Sequence, residues 1–392
     1  VTLTRLPAIS NSLTQYEFID ESILPFTLPD LLTFGYQLKA KTPTQSRSQP
    51  ARVSADLPVY FIPPYVGSLT FHPNHTRSSS SLKNLWNLVT YLKQCQPQIL
   101  ITGTHFINEI GIIANLLGKI SNNKNKTKIC VLEHTNISVE YKFVEQRSSK
   151  IIPLTARFLY PFADYVVAVS HGVAQDLSKI SQFPLDRIHV IYNPILLDNL
   201  DQLAQQAITL NEFKSRDCPI VLGAGRFVTQ KDFSTLIKAF QTVRSQIKAK
   251  LVLMGGGMQK QQLQDLCQQL GLEKDVLLLQ FVDNPYPLMA QADVFVLSSR
   301  WEGLPTVLVE ALALGTPVVS TNCPSGPREI LEDGRYGSLV PVGDSETMAQ
   351  AILDTLQGTI QCSKVSETWR EKFTLKRAID QYEHLLNLST SC

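Results

Sequence analysis

The sequence predicts an α/β fold built from two doubly wound domains. Strand-length apolar runs alternate with segments of helical periodicity in both halves of the chain, a pattern typical of parallel sheets covered by helices. At 392 residues the chain is long enough for two separate cores. A polar, glutamine-rich segment lies between the two halves. We therefore predict a first domain over residues 1–194, a linker over 195–218, a second domain over 219–368 and a C-terminal helical segment over 369–392.

The first half contains a run of short strands followed by strict alternation of strands and helices. Helical periodicity predicts helices over residues 82–94, 106–117 and 173–180. Apolar runs of strand length predict strands over residues 1–6, 16–19, 59–62, 99–102, 129–132, 165–169 and 188–191.

The second half repeats the alternation of strands and helices. Predicted helices cover residues 233–247, 259–270, 305–314 and 346–356, with a short one near Leu288. Predicted strands cover residues 220–222, 251–254, 276–281, 294–297, 318–320 and 337–340. Ligands of such sheets bind beyond the carboxyl ends of the strands, so two facing sheets predict a reactive cleft between the domains.

Composition favours an intracellular protein. Seven cysteines without a CxxC pair fit a reducing compartment, and we expect a cytoplasmic location. Residues 1–192 hold 18 Lys and Arg against 12 Asp and Glu. Three interpretations of this basic half stay open: an ordinary solvated surface, contact with a phosphorylated acceptor, and peripheral contact with anionic lipid on the inner membrane surface. We expect no nucleic-acid partner.

Two carboxylates mark the turn between the strand over residues 294–297 and the helix that follows. Pro305 suits the first helical position, and Gly303 allows the backbone to approach a ligand closely. Glu302 and Glu310 then lie near a helix N-terminus, where free N–H groups favour phosphate or hydroxyl-rich ligands. Each carboxylate alone is equally explained as a partner of the helix dipole, so the prediction depends on the whole group.

A second group of charged residues follows the first strand of the second domain. Gly223 and Gly225 resemble the start of a dinucleotide motif, but position 228 is valine where a third glycine belongs. Arg226 and Lys231 flank this loop, and two such cations neutralise a diphosphate without metal. The chain contains no Asp-x-Asp pair. We therefore predict no metal and no cofactor, with a nucleotide-diphosphate sugar as co-substrate.

These motifs together resemble glycosyltransferase family 4, whose members are retaining transferases with the GT-B fold of two Rossmann-like domains facing a cleft. The resemblance is strong over residues 219–357 and moderate over 98–194. It is carried by Gly225-Arg226 with Lys231, Glu302-Gly303-Leu304-Pro305 with Glu310, the SGPREI sequence at 325–330 and the GSLVP sequence at 337–341.

The resemblance implies a role for each matching position. Arg226 and Lys231 hold the donor diphosphate, Glu302 binds sugar hydroxyls, and Glu310 binds the ribose. Val282 contributes main-chain bonds to the base. We expect the donor of this chain to be linked to UDP. The remaining donor-binding positions are Gly225 and the backbone of Gly303, Leu304, Pro305 and Thr306.

The resemblance also implies parts beyond the donor site. His134, in the Glu133-His134-Thr135 sequence after a strand, lies near the sugar or the acceptor, a role for which His105 competes. The acceptor is a saccharide or a lipid-linked saccharide. The last helix of the family crosses back to the first domain. Residues 1–6 resemble the second strand of the family, which implies a chain that starts after the usual first strand, Gly-rich loop and helix.

Two other classes of function stay open on the sequence alone. A non-catalytic binder of nucleotide sugars or glycans fits a chain that lacks this first element. An oxidoreductase with Rossmann domains fits Gly223 and Gly225, although no acidic residue clearly ends a following strand to bind the ribose.

Overall fold

The computed structural model describes residues 78–121, 125–143, 152–208, 210–215, 217–359 and 363–387, together with three short strands nearer the N-terminus. The predicted strands over residues 1–6 and 16–19 lie outside the described residues. In chain order the strands are β1 (Pro25–Phe26), β2 (Ala51–Val53), β3 (Val59–Ile62), β4 (Ile99–Gly103), β5 (Lys128–Glu133), β6 (Tyr165–Ala168), β7 (Ile188–Val190), β8 (Ile220–Ala224), β9 (Lys250–Met254), β10 (Val276–Leu279), β11 (Val294–Leu297), β12 (Val318–Thr321) and β13 (Ser338–Val340).

The helices follow most strands, as the alternating pattern predicts. They are α1 (Ser78–Cys95), α2 (His105–Ser121), α3 (Ile137–Phe143), α4 (Ile152–Leu159), α5 (His171–Ser181), α6 (Leu200–Ala204), α7 (Asn211–Ser215), α8 (Phe233–Gln246), α9 (Lys260–Gln269), α10 (Tyr286–Gln291), α11 (Thr306–Ala313), α12 (Pro327–Ile330), α13 (Ser345–Leu356), α14 (Glu367–Glu371) and α15 (Leu375–Leu386).

The chain forms two compact units, one of residues 1–132 with 159–165 and one of residues 133–158 with 166–392. In the first unit, β1 to β5 pair in chain order. All of these pairs are parallel except β2 with β3, which is antiparallel. The domain bounds expected from the sequence stay a prediction.

The second unit contains a parallel sheet with the order β10-β9-β8-β11-β12-β13. The chain adds strands outward from β8 on one side and from β11 on the other, so the direction of winding reverses between these two strands. Its core is a continuous apolar cluster in which helices α8 and α13 pack against each other, with Phe240, Leu253 and Ile352 fully buried. Each such side chain contributes about 1.5–3 kcal/mol by leaving water. The second unit also holds the parallel pair of β6 with β7.

The C-terminal segment differs from the single continuous helix that its periodicity suggests. Helix α14 ends before Phe373, whose carbonyl accepts hydrogen bonds from the N–H groups of Ile195 and Leu196 at 2.8 and 3.0 Å. Thr374 is extended, and its hydroxyl accepts the Arg377 N–H and starts α15. The break exists because the Phe373 carbonyl bonds to residues distant in sequence instead of continuing the helix.

Among the described residues, no helix combines the length and the apolar character needed to cross a membrane.

Trp369 anchors this segment in the second unit, and its replacement tests that role. The indole N–H donates to the Ile330 carbonyl at 2.9 Å, and the ring packs 4.8 Å from Phe373. We expect Trp369→Phe to destabilise the unit by about 1–3 kcal/mol, because a smaller ring leaves a void and a buried carbonyl without its donor. Thermal unfolding followed by circular dichroism measures the change. The same substitution at the exposed Trp86 is the control, and an equal effect there would contradict the assignment.

Candidate functional site

The candidate site lies where the winding of the second sheet reverses. Strands β8 and β11 are parallel neighbours, with Val294 beside Val221. The loop after β8 carries Arg226 and Lys231, and the loop after β11 carries Glu302. Parallel neighbours present their carboxyl ends at the same edge, and such reversal points are where open α/β sheets bind ligands.

Hydrogen bonds join these two loops along their length. The Arg300 N–H donates to the Gln230 carbonyl at 2.8 Å. The Gln230 side-chain amide donates to the Trp301 carbonyl at 3.0 Å, and the Ser298 hydroxyl donates to the Lys231 carbonyl at 2.7 Å. The two loops are therefore held as one piece.

An ion pair at the centre of the site brings together two predicted residues. The Lys231 ammonium contacts Oε1 of Glu302, and these side chains are only 15% and 7% exposed. The Ser299 hydroxyl donates to the same Oε1 at 2.6 Å. Two donors thus hold one oxygen of Glu302, and within the described residues Oε2 has no hydrogen bond. The arrangement fixes the carboxylate through one of its oxygens.

A second charge pair supports the first. Buried Asp232, with a left-handed φ of 45°, accepts the Arg300 guanidinium at 3.0 Å and the Thr235 hydroxyl at 2.9 Å. Asp232 immediately follows Lys231, and Arg300 lies two residues before Glu302. The second pair therefore ties together the loops that carry the first.

The chain after β12 closes the site from another side. The Glu302 N–H donates to the Pro324 carbonyl at 3.1 Å. Burial, with the neighbouring charge of Glu302, raises the pKa of the Cys323 thiol to about 12. That thiol stays protonated at neutral pH and is no nucleophile.

Glu310 lies inside helix α11 and is buried. The Tyr286 hydroxyl, on α10, donates to its Oε1 at 3.5 Å. The structure differs from the expected helix start by one residue: Pro305, with ψ of 101°, caps α11, and Thr306 is the first helical residue.

The backbone of His134 lies against the backbone of Gly303, in the loop that carries Glu302. A Cβ on Gly303 would lie 1.8 Å from the His134 carbonyl oxygen, so the two backbones are in direct contact. The Ser170 hydroxyl donates to the Gly303 carbonyl at 2.8 Å, and the Asn136 amide donates to the Ser325 hydroxyl at 2.9 Å. The ends of β5 and β6 therefore meet the Glu302 loop within one unit. The His134 side chain is half-buried.

The remaining predicted donor-binding residues have fewer contacts with the Lys231–Glu302 pair. The Arg226 side chain is exposed and forms no ion pair within the part of the chain that the structure describes. Gly225 has a φ of 153° and donates its N–H to the Met254 carbonyl at 2.9 Å. Val282 and Thr306 are half-buried, whereas Leu304 and Pro305 are buried. Their roles toward a donor stay predictions.

Glu329 has a structural role in the described residues. Its Oε2 accepts the His171 N–H at 3.0 Å and the Tyr192 hydroxyl at 3.3 Å. Burial and the charge of Glu329 raise the pKa of Tyr192. This carboxylate holds the start of α5 against the residues after β12.

Sequence reasoning missed several residues of the site. Ser299, Gln230 and Tyr286 touch or support the predicted residues, but no motif marked them. A hydroxyl two or three residues before an acidic residue is too common to be a signal on its own. Only the strand pairing shows that Gln230 faces Trp301.

The chain matches two family models. The model for glycosyl transferases group 1 matches residues 207–372, and the model for Glycosyltransferase Family 4 matches residues 34–199. A curated relative from Campylobacter jejuni, N-acetylgalactosamine-N,N'-diacetylbacillosaminyl-diphospho-undecaprenol 4-alpha-N-acetylgalactosaminyltransferase, is 33% identical over 270 residues, which cover 68% of this chain and 70% of that protein.

The chain belongs to glycosyltransferase family 4. A second relative, an uncharacterized glycosyltransferase from Methanocaldococcus jannaschii, is 33% identical over 254 residues, which cover 64% of this chain and 62% of that protein. The chain thus spans less than two thirds of this relative's length. The family membership removes the support for the oxidoreductase alternative.

A solved structure confirms the GT-B fold that the sequence predicts. HepE from Anabaena, in complex with UDP-glucose, superposes with a TM-score of 0.64 at 20% identity, covering 78% of this chain and 82% of that one. At this identity the likeness establishes the fold alone.

Gly303 offers a test of how closely the site is packed. We expect Gly303→Ala to destabilise the protein by about 1–3 kcal/mol, because the added Cβ overlaps the His134 carbonyl and one of the two backbones must move. Thermal unfolding measures the loss.

Gly256→Ala is the matched control for this change, because a Cβ there would meet the Phe281 ring at an ordinary 3.6 Å. Equal unfolding temperatures for the two variants would show that the Gly303 contact is absent in solution.

Proposed function

We propose that this chain is a retaining, metal-independent glycosyltransferase. It moves a hexose or N-acetylhexosamine from a nucleotide-diphosphate sugar, UDP-linked, to a saccharide or lipid-linked saccharide acceptor. The observation that carries the proposal is the Lys231–Glu302 pair, fixed by Ser299 at the point where the sheet reverses. The Campylobacter relative, named for transfer of N-acetylgalactosamine to a diphospho-undecaprenol-linked sugar, supports the acceptor class. The HepE complex with UDP-glucose supports the donor class.

Arg226 and Lys231 hold the diphosphate. An exposed guanidinium is available to form two parallel hydrogen bonds with a phosphate. Lys231 has three N–H donors, so it bonds a phosphate oxygen while one N–H stays on Glu302. Together the two cations neutralise charge that builds on the diphosphate as the sugar leaves, without metal.

Glu302 and Glu310 hold hydroxyl groups at either end of the donor. Oε1 of Glu302 is occupied by Lys231 and Ser299, which leaves Oε2 to accept sugar hydroxyls. Glu310 accepts the ribose hydroxyls, and the Tyr286 hydroxyl steadies its carboxylate. Val282 bonds the base through its main chain, and the backbone from Gly303 to Thr306 meets the sugar or the phosphate.

The chemistry needs no covalent nucleophile. The bond from the sugar's anomeric carbon to the diphosphate oxygen breaks, and the acceptor hydroxyl attacks the same face. The leaving phosphate oxygen takes the proton of that hydroxyl. Positive charge on the sugar is stabilised by the nearby carboxylate of Glu302. His134, beside Gly303, positions the sugar or the acceptor.

We also propose that the protein is cytoplasmic and that it contacts the inner membrane surface.

Replacing Glu310 tests the donor site. We expect Glu310→Ala to raise the KM for UDP-glucose by about 10- to 100-fold, because a charge-assisted hydrogen bond to the ribose is lost. UDP release from UDP-glucose and from UDP-N-acetylglucosamine, measured against donor concentration, gives the value. Glu367→Ala is the control, because Glu367 is 80% exposed and belongs to helix α14, outside these loops.

An unchanged donor KM in Glu310→Ala would contradict the assignment. UDP binding by the wild-type chain without UDP release or transfer would favour the non-catalytic binder and overturn the proposed activity.

A further inference from the structure

The outward face of helix α2 is apolar along its whole length. Large apolar side chains recur at intervals of four, three, four and three residues, so they share one side of the helix. Phe106 and Ile120, at its two ends, are 51% and 81% exposed, and three residues between them are half-buried. This set, the α2 stripe, consists of Phe106, Ile110, Ile113, Leu117 and Ile120.

The opposite side of α2 already packs against the first unit. Its buried residues include Ile107, Ile112 and Ala114. The Asn108 amide donates to the Leu132 carbonyl at 2.8 Å, and the Asn115 amide donates to the Thr127 carbonyl at 3.2 Å. A helix packed on a sheet normally carries polar residues on its outer side. The α2 stripe therefore marks an interaction surface.

Basic residues continue from the end of the stripe. Four lysines and no acidic residue occur between positions 119 and 128. Lys126 and Lys128 are exposed, and Lys119 lies 3.8 Å from Asp164. Helix α1, which packs against α2, carries Trp86 with 58% of its surface exposed. Exposed tryptophan and lysine in the same unit as an apolar helix face are the composition that binds the boundary between lipid headgroups and acyl chains.

We propose that the α2 stripe rests on an anionic lipid bilayer, with Lys126 and Lys128 on the lipid phosphates. The aliphatic side chains enter the boundary of the acyl region, while the helix stays packed on its sheet and lies in the plane of the surface. A bilayer fits better than a second copy of the chain, since the neighbouring lysines match anionic headgroups. This inference identifies the surface for the membrane contact proposed above, and it does not depend on transfer activity.

Vesicle binding by the full chain tests the proposal. The probes are vesicles of phosphatidylcholine alone and of phosphatidylcholine with phosphatidylglycerol in equal parts. We expect the wild-type chain to float with the anionic vesicles, and added salt to weaken the binding. Phe106→Gln with Ile120→Gln reduces the binding about tenfold or more, because two apolar side chains no longer leave water. Lys126→Gln with Lys128→Gln removes most of the preference for phosphatidylglycerol.

The control variant is Leu185→Gln, which replaces an apolar residue that is 48% exposed in the second unit. It should bind vesicles like the wild-type chain, and circular dichroism verifies that each variant is folded. Absence of wild-type binding to anionic vesicles, or full binding by the Phe106→Gln, Ile120→Gln chain, overturns the proposal. A dimer that this double variant abolishes, seen by light scattering without vesicle binding, assigns the stripe to a second copy instead.

Because vesicle flotation measures no turnover, failure of this proposal leaves the donor kinetics unaffected, and failure of the proposed transferase leaves the flotation result unaffected.

Discussion

The candidate site depends on a charge pair between two loops that the sheet topology makes neighbours. Burying Lys231 and Glu302 costs several kcal/mol of hydration for each ion, which attraction alone offsets only with good geometry and further hydrogen bonds. The structure supplies these bonds through Ser299, Ser298 and the adjacent pair of Asp232 with Arg300. Such a pair contributes little to stability, but it fixes one carboxylate oxygen and one ammonium in place before a ligand arrives. A transferase that stabilises a departing diphosphate needs this kind of preorganised charge.

Local patterns were enough to predict most of the second unit. The strand before Ser298 and the helix after Pro305 follow from an apolar run and from helical spacing, and the structure has them at Val294–Leu297 and Thr306–Ala313. The parallel order of the strands follows from the alternation itself. Gly303 was predicted to let the backbone approach a ligand, and that role stays a prediction. The structure shows a different reason for glycine there, which is close packing against the His134 backbone.

Contacts between residues far apart in sequence could not be predicted. Lys231 and Glu302 were assigned to separate parts of a donor, and only the pairing of β8 with β11 shows that they touch each other. The antiparallel pairing of β2 with β3 and the break at Phe373 likewise depend on distant backbone groups. In α2, apolar residues occupy both sides of the helix, so periodicity alone did not show that Phe106 and Ile120 face outward. Exposure is a property of the folded chain.

The most direct measurement of the central claim is a double-mutant cycle on Lys231 and Glu302. Titration calorimetry gives the Kd for UDP-glucose of the wild-type chain, Lys231→Gln, Glu302→Gln and the double variant. If the two side chains hold each other in place for the donor, the sum of the two single losses in binding free energy exceeds the loss in the double variant by a coupling energy of about 1–3 kcal/mol. Additive losses, within about 0.5 kcal/mol, would show independent side chains and contradict the account.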